Sequence, residues 1–293
     1  MNSEVLFTRN LDSESVVRLY RALGKKLDGK VAAKVHTGEA GNQNYMTPQY
    51  WKPIIDEVGG TVAECNTAYG GARNTTKKHL ALIRDHEWDK YFGVDLLDAD
   101  GDDMCLDIPN GKVLKSNLVG GHLADYDSMI VLSHFKGHPA GGYGGALKQL
   151  SIGCASSRGK ALIHSGGFTD DQRIVWGHMA PQDMFLEAMA DAAASVVRYF
   201  KGNIVYINVM KNLSVDCDCC DVAEDPCMAD IGILASLDPV AVDKACLDLV
   251  YAAADDPGQK HFLERVESRH GIHTIEAAEA LGIGTAEYVL TEI

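Results

Sequence analysis

The chain has 293 residues, 46% hydrophobic and 23% charged, the proportions of a soluble globular protein rather than a disordered one. Its formal net charge of −14 argues against nucleic acid or an anionic membrane surface as the main partner. The first ten residues hold no basic region followed by an apolar run, and no stretch approaches the roughly 20 apolar residues of a membrane span, so the expected address is the cytoplasm.

In chain order, Asp12 is placed to cap a helix running to about Leu27, with Val16, Leu19, Tyr20 and Leu23 on one face. Lys30 to His36 reads as a strand leading into the polar stretch Thr37 to Asn44. Thr47-Pro48 opens the next helix, because threonine caps and proline suits the first helical position, and Gly59-Gly60 ends it. Thr61 to Cys65 is a short buried strand, and Thr75 begins a helix reaching about Trp88. This alternation predicts a parallel sheet covered by helices.

Ser128 to Ser133 (SMIVLS) is the strongest central strand, an apolar run suited to burial on both faces. Gln182 to Phe200 reads as a long alanine-rich helix, followed by strands at Asn203 to Met210 and Asp230 to Ser236. Asp238-Pro239 opens a helix through about Ala253; further helices reach Gly282, and Tyr288 to Thr291 closes as a strand. The predicted class is α/β, with mostly parallel sheet layers covered by helices. A single domain over residues 1–293 is expected, with a subdivision into 1–170 and 180–293 and a cleft between them as an option.

The densest chemical signal is HPAGGYGGALK, His138 to Lys148. Gly141, Gly142, Gly144 and Gly145 let the backbone approach a ligand, and a helix starting at Ala146 would aim amides at an anion. Lys148 falls in the first turns of that helix. Neither the phosphate-loop nor the dinucleotide glycine spacing is met, and a tight loop with a surface lysine is the plain alternative. His134, His138 and His164 bracket the turn, and imidazoles suit proton transfer or metal ligation.

In an open parallel sheet, ligands gather beyond the carboxyl ends of strands. His36 and Glu39, which leave one such end, could serve as base and orienting carboxylate, and Arg73 leaves the next, suited to a carboxylate or phosphate. Of eight cysteines, Cys65, Cys105, Cys154 and Cys246 are scattered and read as core residues. Cys217, Cys219, Cys220 and Cys227 crowd together in a spacing that matches no standard zinc or ferredoxin pattern. A metal or iron–sulfur site and a redox-sensitive loop both stay open there.

The segments Ser133 to Gly167, KVHTGEAGN, DCDC and DIGILASLDPVAVDKACLDLV resemble the domain-of-unknown-function family 362 over nearly the whole chain. Many of its members carry a ferredoxin-like insert just after the position of Ile163 to Gly167. Here Phe168 to Met179 stands in that place without a cysteine, so the resemblance does not extend to a ferredoxin role. The chain is also faintly similar to the nickel-pincer lactate racemase family, in a histidine, a glycine segment, a lysine ten residues on and a later histidine. That similarity implies Lys148 as the tether of a nickel-pincer-like nucleotide, His164 as a metal ligand and His138 as a proton-transfer residue. The racemase's proline after the lysine is absent, Gly153 and Cys154 standing there.

These readings predict a metal- or metallocofactor-dependent enzyme, redox or racemase-like, doing proton or hydride chemistry on a small anionic molecule. His138, Lys148, His36 and Glu39 are the catalytic candidates. Gly141, Gly142, Gly144, Gly145, Lys148 and Arg73 would hold a cofactor, and His164, Cys217, Cys219 and Cys220 a metal ion or iron–sulfur cluster. The alternatives are a metal or iron–sulfur carrier without catalysis and a phosphate- or nucleotide-binding protein.

Overall fold

The computed structural model describes residues 2–293. It begins with β1 (Ser3–Thr8) and α1 (Ser13–Ala22), the latter capped by Asp12, whose side chain accepts from the Ser15 amide at 2.7 Å. β2 (Val31–Lys34), α2 (Pro48–Val58), β3 (Thr61–Glu64), α3 (Thr76–Asp85) and β4 (Val94–Leu96) then alternate. Pro48 opens α2, and Gly59 closes it in the left-handed region at φ 61°, a conformation glycine adopts without steric cost.

β5 (Asp103–Asp107) and β6 (Ser116–Gly120) form a separate hairpin before the chain returns through β7 (Ser128–His134). A second small hairpin, β8 (Lys136–His138) with β9 (Gly142–Gly144), leads into α4 (Ala146–Ser151) and α5 (Ser157–His164). α6 (Gln182–Phe200), β10 (Ile204–Met210), β11 (Gly232–Ser236) and α7 (Pro239–Ala252) follow, and then α8 (Gln259–Ser268), α9 (Ile272–Ala280) and β12 (Tyr288–Glu292).

The main sheet runs β12-β1-β11-β10-β7-β2-β3-β4. From β10 to β4 every neighbouring pair is parallel. β11 breaks the pattern by running against both β1 and β10. The reason is local: a parallel return needs a crossover, usually a helix, whereas the β10–β11 connection is the cysteine loop, which contains none. β1 and the β4–β6 stretch add elements that the sequence pattern did not suggest.

β7 is buried along its whole length, and its side chains divide between two cores as alternation requires. Ile130 and Leu132 join Leu19, Trp51, Ile54 and Ile55 under α1 and α2. Met129 and Val131 join Leu147, Ala194, Val240 and Leu247 under α4, α6 and α7. Two helical layers therefore clamp the sheet, and the loops after β2, β3, β7 and β10 emerge at one edge. Among the described residues no helix is long and apolar enough to cross a membrane.

Candidate functional site

The parallel strands deliver charged side chains to this edge. Lys34, the last residue of β2, is fully buried and pairs with Glu64, the last of β3, at 3.1 Å. Burial alone would push the Glu64 carboxyl up, but Lys34, His36 and Arg73 hold it well below the usual carboxylate range. Arg73, from the loop after β3, reaches Glu39 at 3.0 Å and Glu64 at 3.5 Å, and its remaining fork donates to the Tyr69 hydroxyl at 2.7 Å.

Glu39 therefore orients Arg73 and not His36, contrary to the sequence expectation. The carboxylate accepts from Arg73, Tyr69 and the Ala40 amide, while His36 Nδ1 accepts from the Gly38 amide at 3.1 Å. A carboxylate three residues from a histidine found a more distant, permanently charged partner instead. Burial, and then the Arg73 charge, hold the His36 imidazole well below its ordinary range.

The glycine turn corrects a second expectation. α4 does start at Ala146, with Gly145 as its cap, but the anion at its N-terminus is supplied by the protein. Asp243 of α7 accepts from the Ala146 amide at 2.7 Å and the Leu147 amide at 3.0 Å. Gly145 permits this approach, since a Cβ there would lie 2.4 Å from an Asp243 oxygen. Gly142, at φ 80°, likewise lets the hairpin pass Val266 and Gly271. Gly141, Gly142, Gly144 and Gly145 are buried against protein, and no phosphate cradle opens here.

Lys148 points the other way, its Nζ 3.3 Å from Cys217 Sγ. Burial alone would raise the Cys217 thiol, but a hydrogen bond from Cys219 and the charges of Lys148 and Lys136 pull it well below the ordinary value, which favours its thiolate form. The hydrogen bond to Cys217 in turn pushes the Cys219 thiol up. His138 completes the cluster, with Nε2 3.8 Å from Cys219 Sγ. Its Nδ1 accepts from the amides of Ala140 at 3.2 Å and Gly141 at 2.8 Å. A neutral ring must then carry its hydrogen on Nε2, and burial followed by the Lys148 charge lowers its pKa to about 4.

His138, Cys217 and Cys219 present donor atoms within 4.8 Å of one another, a soft N/S set. The two sulfurs suit a soft metal ion. His138 fits less well as a ligand, because metal at Nε2 would displace the only hydrogen that its tautomer allows. Cys220 stands outside the group: its amide donates to Cys217 O at 2.9 Å, and its carbonyl accepts from Asn42. The Cys227 thiol donates to the Leu213 carbonyl. A four-thiolate iron–sulfur cradle is therefore not assembled: the Cys220 thiol lies against that of Cys219 but outside the mutually close donor group, and Cys227 is turned to the backbone.

A cavity of about 210 Å³ gathers the rest: His36, Arg73, His138, Lys148, His164 and Cys219 all line it. His164, on α5, lies outside the soft donor group; it stacks on Phe185 at 4.8 Å, and its buried Nδ1 has no partner. Burial, then His138, Lys148 and Lys160, lower its pKa to about 3. His134 is not part of the wall: it bridges Asp218 at 2.8 Å and the Lys211 carbonyl at 2.6 Å. Sequence reasoning missed Glu64, Tyr69, Lys160 and Trp176, which also line the cavity. For Lys160 a signal existed, as it precedes His164 by one helical turn.

A family model described as Domain of unknown function (DUF362) matches residues 31–248. No curated protein matches the chain. Among solved structures, a lactate racemase apoprotein from Thermoanaerobacterium thermosaccharolyticum is similar at 14% identity and a TM-score of 0.38, over 70% of this chain and 50% of that one. A Thermotoga maritima protein is similar at 9% identity and a TM-score of 0.40, over 92% of this chain and 58% of that one. The chain thus spans 50% and 58% of the length of these two structures, and at these scores neither likeness bears on the site.

Proposed function

We propose, from the premise that the chain belongs to the DUF362 family, that it is a metal-dependent enzyme moving a proton on a small anionic substrate. The observation that carries this reading is the convergence of two cysteine sulfurs and an imidazole within 4.8 Å, with Cys219 and His138 on the wall of a cavity that also holds Arg73, Lys148 and His164 and Cys217 buried behind them. Buried cations favour an anion, and imidazoles on the same wall are groups able to exchange a proton with it.

In this reading Cys217 and Cys219 would hold a soft metal ion, which would supply Lewis acidity. Lys148 keeps Cys217 ionised. His138 holds its one mobile proton at Nε2, the nitrogen facing the sulfurs, while the Gly141 amide fixes the ring. His164 offers a second imidazole. Glu39 and Glu64 set the Arg73 guanidinium in place and stabilise its charge.

Elemental analysis of anaerobically purified protein tests the reading. About one equivalent of a soft metal, lost in Cys217→Ser, is expected; a folded, metal-free wild type would sink it. An intact-mass adduct on Lys148 would point to a tethered nucleotide-type cofactor instead of a simple ion.

The His138 tautomer favours one second reading, a metal-free enzyme in which the Cys217 thiolate is itself the base or nucleophile. It predicts metal-free protein with an ultraviolet thiolate absorbance at neutral pH that is lost in Cys217→Ser and reduced in Lys148→Met.

A further inference from the structure

Buried lysines and arginines cost free energy unless an anion compensates them. Lys34 has Glu64, Lys136 has Asp218 at 2.9 Å, and Arg73 has Glu39 and Glu64. The partly buried Lys148 has the Cys217 sulfur. Lys160 has none. It is 7% exposed and lines the cavity, and among the described residues its Nζ makes one bond, to the Ala155 carbonyl at 2.6 Å. An ammonium has three donors, so two N–H groups and a full charge stand without a partner.

The nearby carboxylate that could have served is occupied. Asp98 accepts from the Asn66 amide and from the amide and hydroxyl of Ser157, and it makes no ion pair with Lys160. One turn along α5, on the same face, His164 Nδ1 is also buried without a partner. Two unsatisfied polar groups thus lie side by side on one helix and line one cavity. Much of the remaining wall there is apolar, with Cys65, Ala68, Ile152 and Trp176.

We propose that this face of α5 is the substrate's carboxylate subsite, with Lys160 neutralising a single negative charge and the His164 ring flanking it on the same wall. The inference rests on the anionic-substrate part of the proposed function and narrows it to small monocarboxylates with an apolar remainder. A dianion such as a phosphate ester would bring one more negative charge than the wall leaves uncompensated. Lys160 is thereby a binding and specificity residue.

Calorimetric titration of the protein as purified with propionate, benzoate, malonate and inorganic phosphate, with its metal content measured alongside, tests this. Wild type should bind a monocarboxylate at one site, in preference to malonate and phosphate. Lys160→Met should weaken that binding about tenfold or more, and Lys160→Arg should restore most of it. Lys160→Met should also raise the Tm, because it removes an uncompensated buried charge; a residue kept for structure would lower it. Equal monocarboxylate affinity in Lys160→Met, tighter binding of phosphate, or no monocarboxylate binding at millimolar concentration would each overturn the proposal. Metal content, expected to be unchanged in Lys160→Met, separates the two ideas. Metal-free protein that binds carboxylate through Lys160 sinks only the metal reading, and metal-loaded protein indifferent to Lys160 sinks only this one.

Discussion

The first turn of α4 separates two buried polar assemblies of opposite character. On one side Asp243 is saturated by the Ala146 and Leu147 amides, by Asn208 at 2.7 Å and by the Tyr143 hydroxyl at 3.4 Å, with no room beyond Gly145. On the other, Lys148, Lys160 and His164 face a cavity with bonding capacity to spare. Both are buried, both are charged, and both come from the same glycine-rich segment and its neighbours. Burial of polarity therefore does not mark a site; unsatisfied valence beside open space does.

Breaking the closed side should have the largest effect. Asp243→Ala orphans two amides and the Asn208 side chain, and is expected to cost about 3–5 kcal/mol in urea unfolding. A loss below about 1 kcal/mol would show that the assembly is not closed. Gly145→Ala, which must push Asp243 aside, should cost about 1–3 kcal/mol, whereas Gly177→Ala, with nothing within 4 Å, should be near neutral. On the open side, Lys148→Met should lower the ultraviolet thiolate absorbance that Cys217→Ser removes, measured at pH 7, with little change in stability. An unchanged absorbance would mean that Lys148 does not hold the thiolate.

The smallest effect is in pH dependence, where the two sides carry opposite signs. Burial lifts the Asp243 carboxyl from 3.8 to about 6, so its contribution to stability is present at low pH and lost as pH rises through that window. His164 is lowered from 6.5 to about 3, so its contribution is present above 6.5 and lost as pH falls. Between about pH 4 and 6, Asp243→Asn should steepen the rise of stability with pH and His164→Phe should flatten it. Each change corresponds to about one proton, or ~1.4 kcal/mol per pH unit. Urea midpoints across that range would show it, and identical slopes would refute the opposition.

What could be read from the sequence was local. Asp12, Thr47-Pro48, Gly59 and Asp238-Pro239 announce helix ends because capping involves residues a few positions apart. The loops carrying His36, Arg73, His138 and Lys148 could be placed at one edge because parallel strands send their carboxyl ends the same way, and these residues do line one cavity; that Cys219 joins them there could not be read. Distant partnerships could not be read. Asp243 lies 97 residues from the amide it caps, and Glu39 found Arg73 34 residues away. The reversed β11 and the interior β1 escaped for the same reason, since strand neighbours are set by pairing across the whole chain.

The place of β1 has a consequence for how the molecule is made. Ser3–Thr8 lies between β11 and β12, with Val5 opposite Ser236 on one side and Leu290 on the other. A strand that leaves the ribosome well before both of its neighbours must wait for them, its apolar Val5, Leu6 and Phe7 unsheltered meanwhile. Such high contact order slows folding and exposes a sticky edge, so refolding from urea should be slow, and a holdase chaperone should improve its yield.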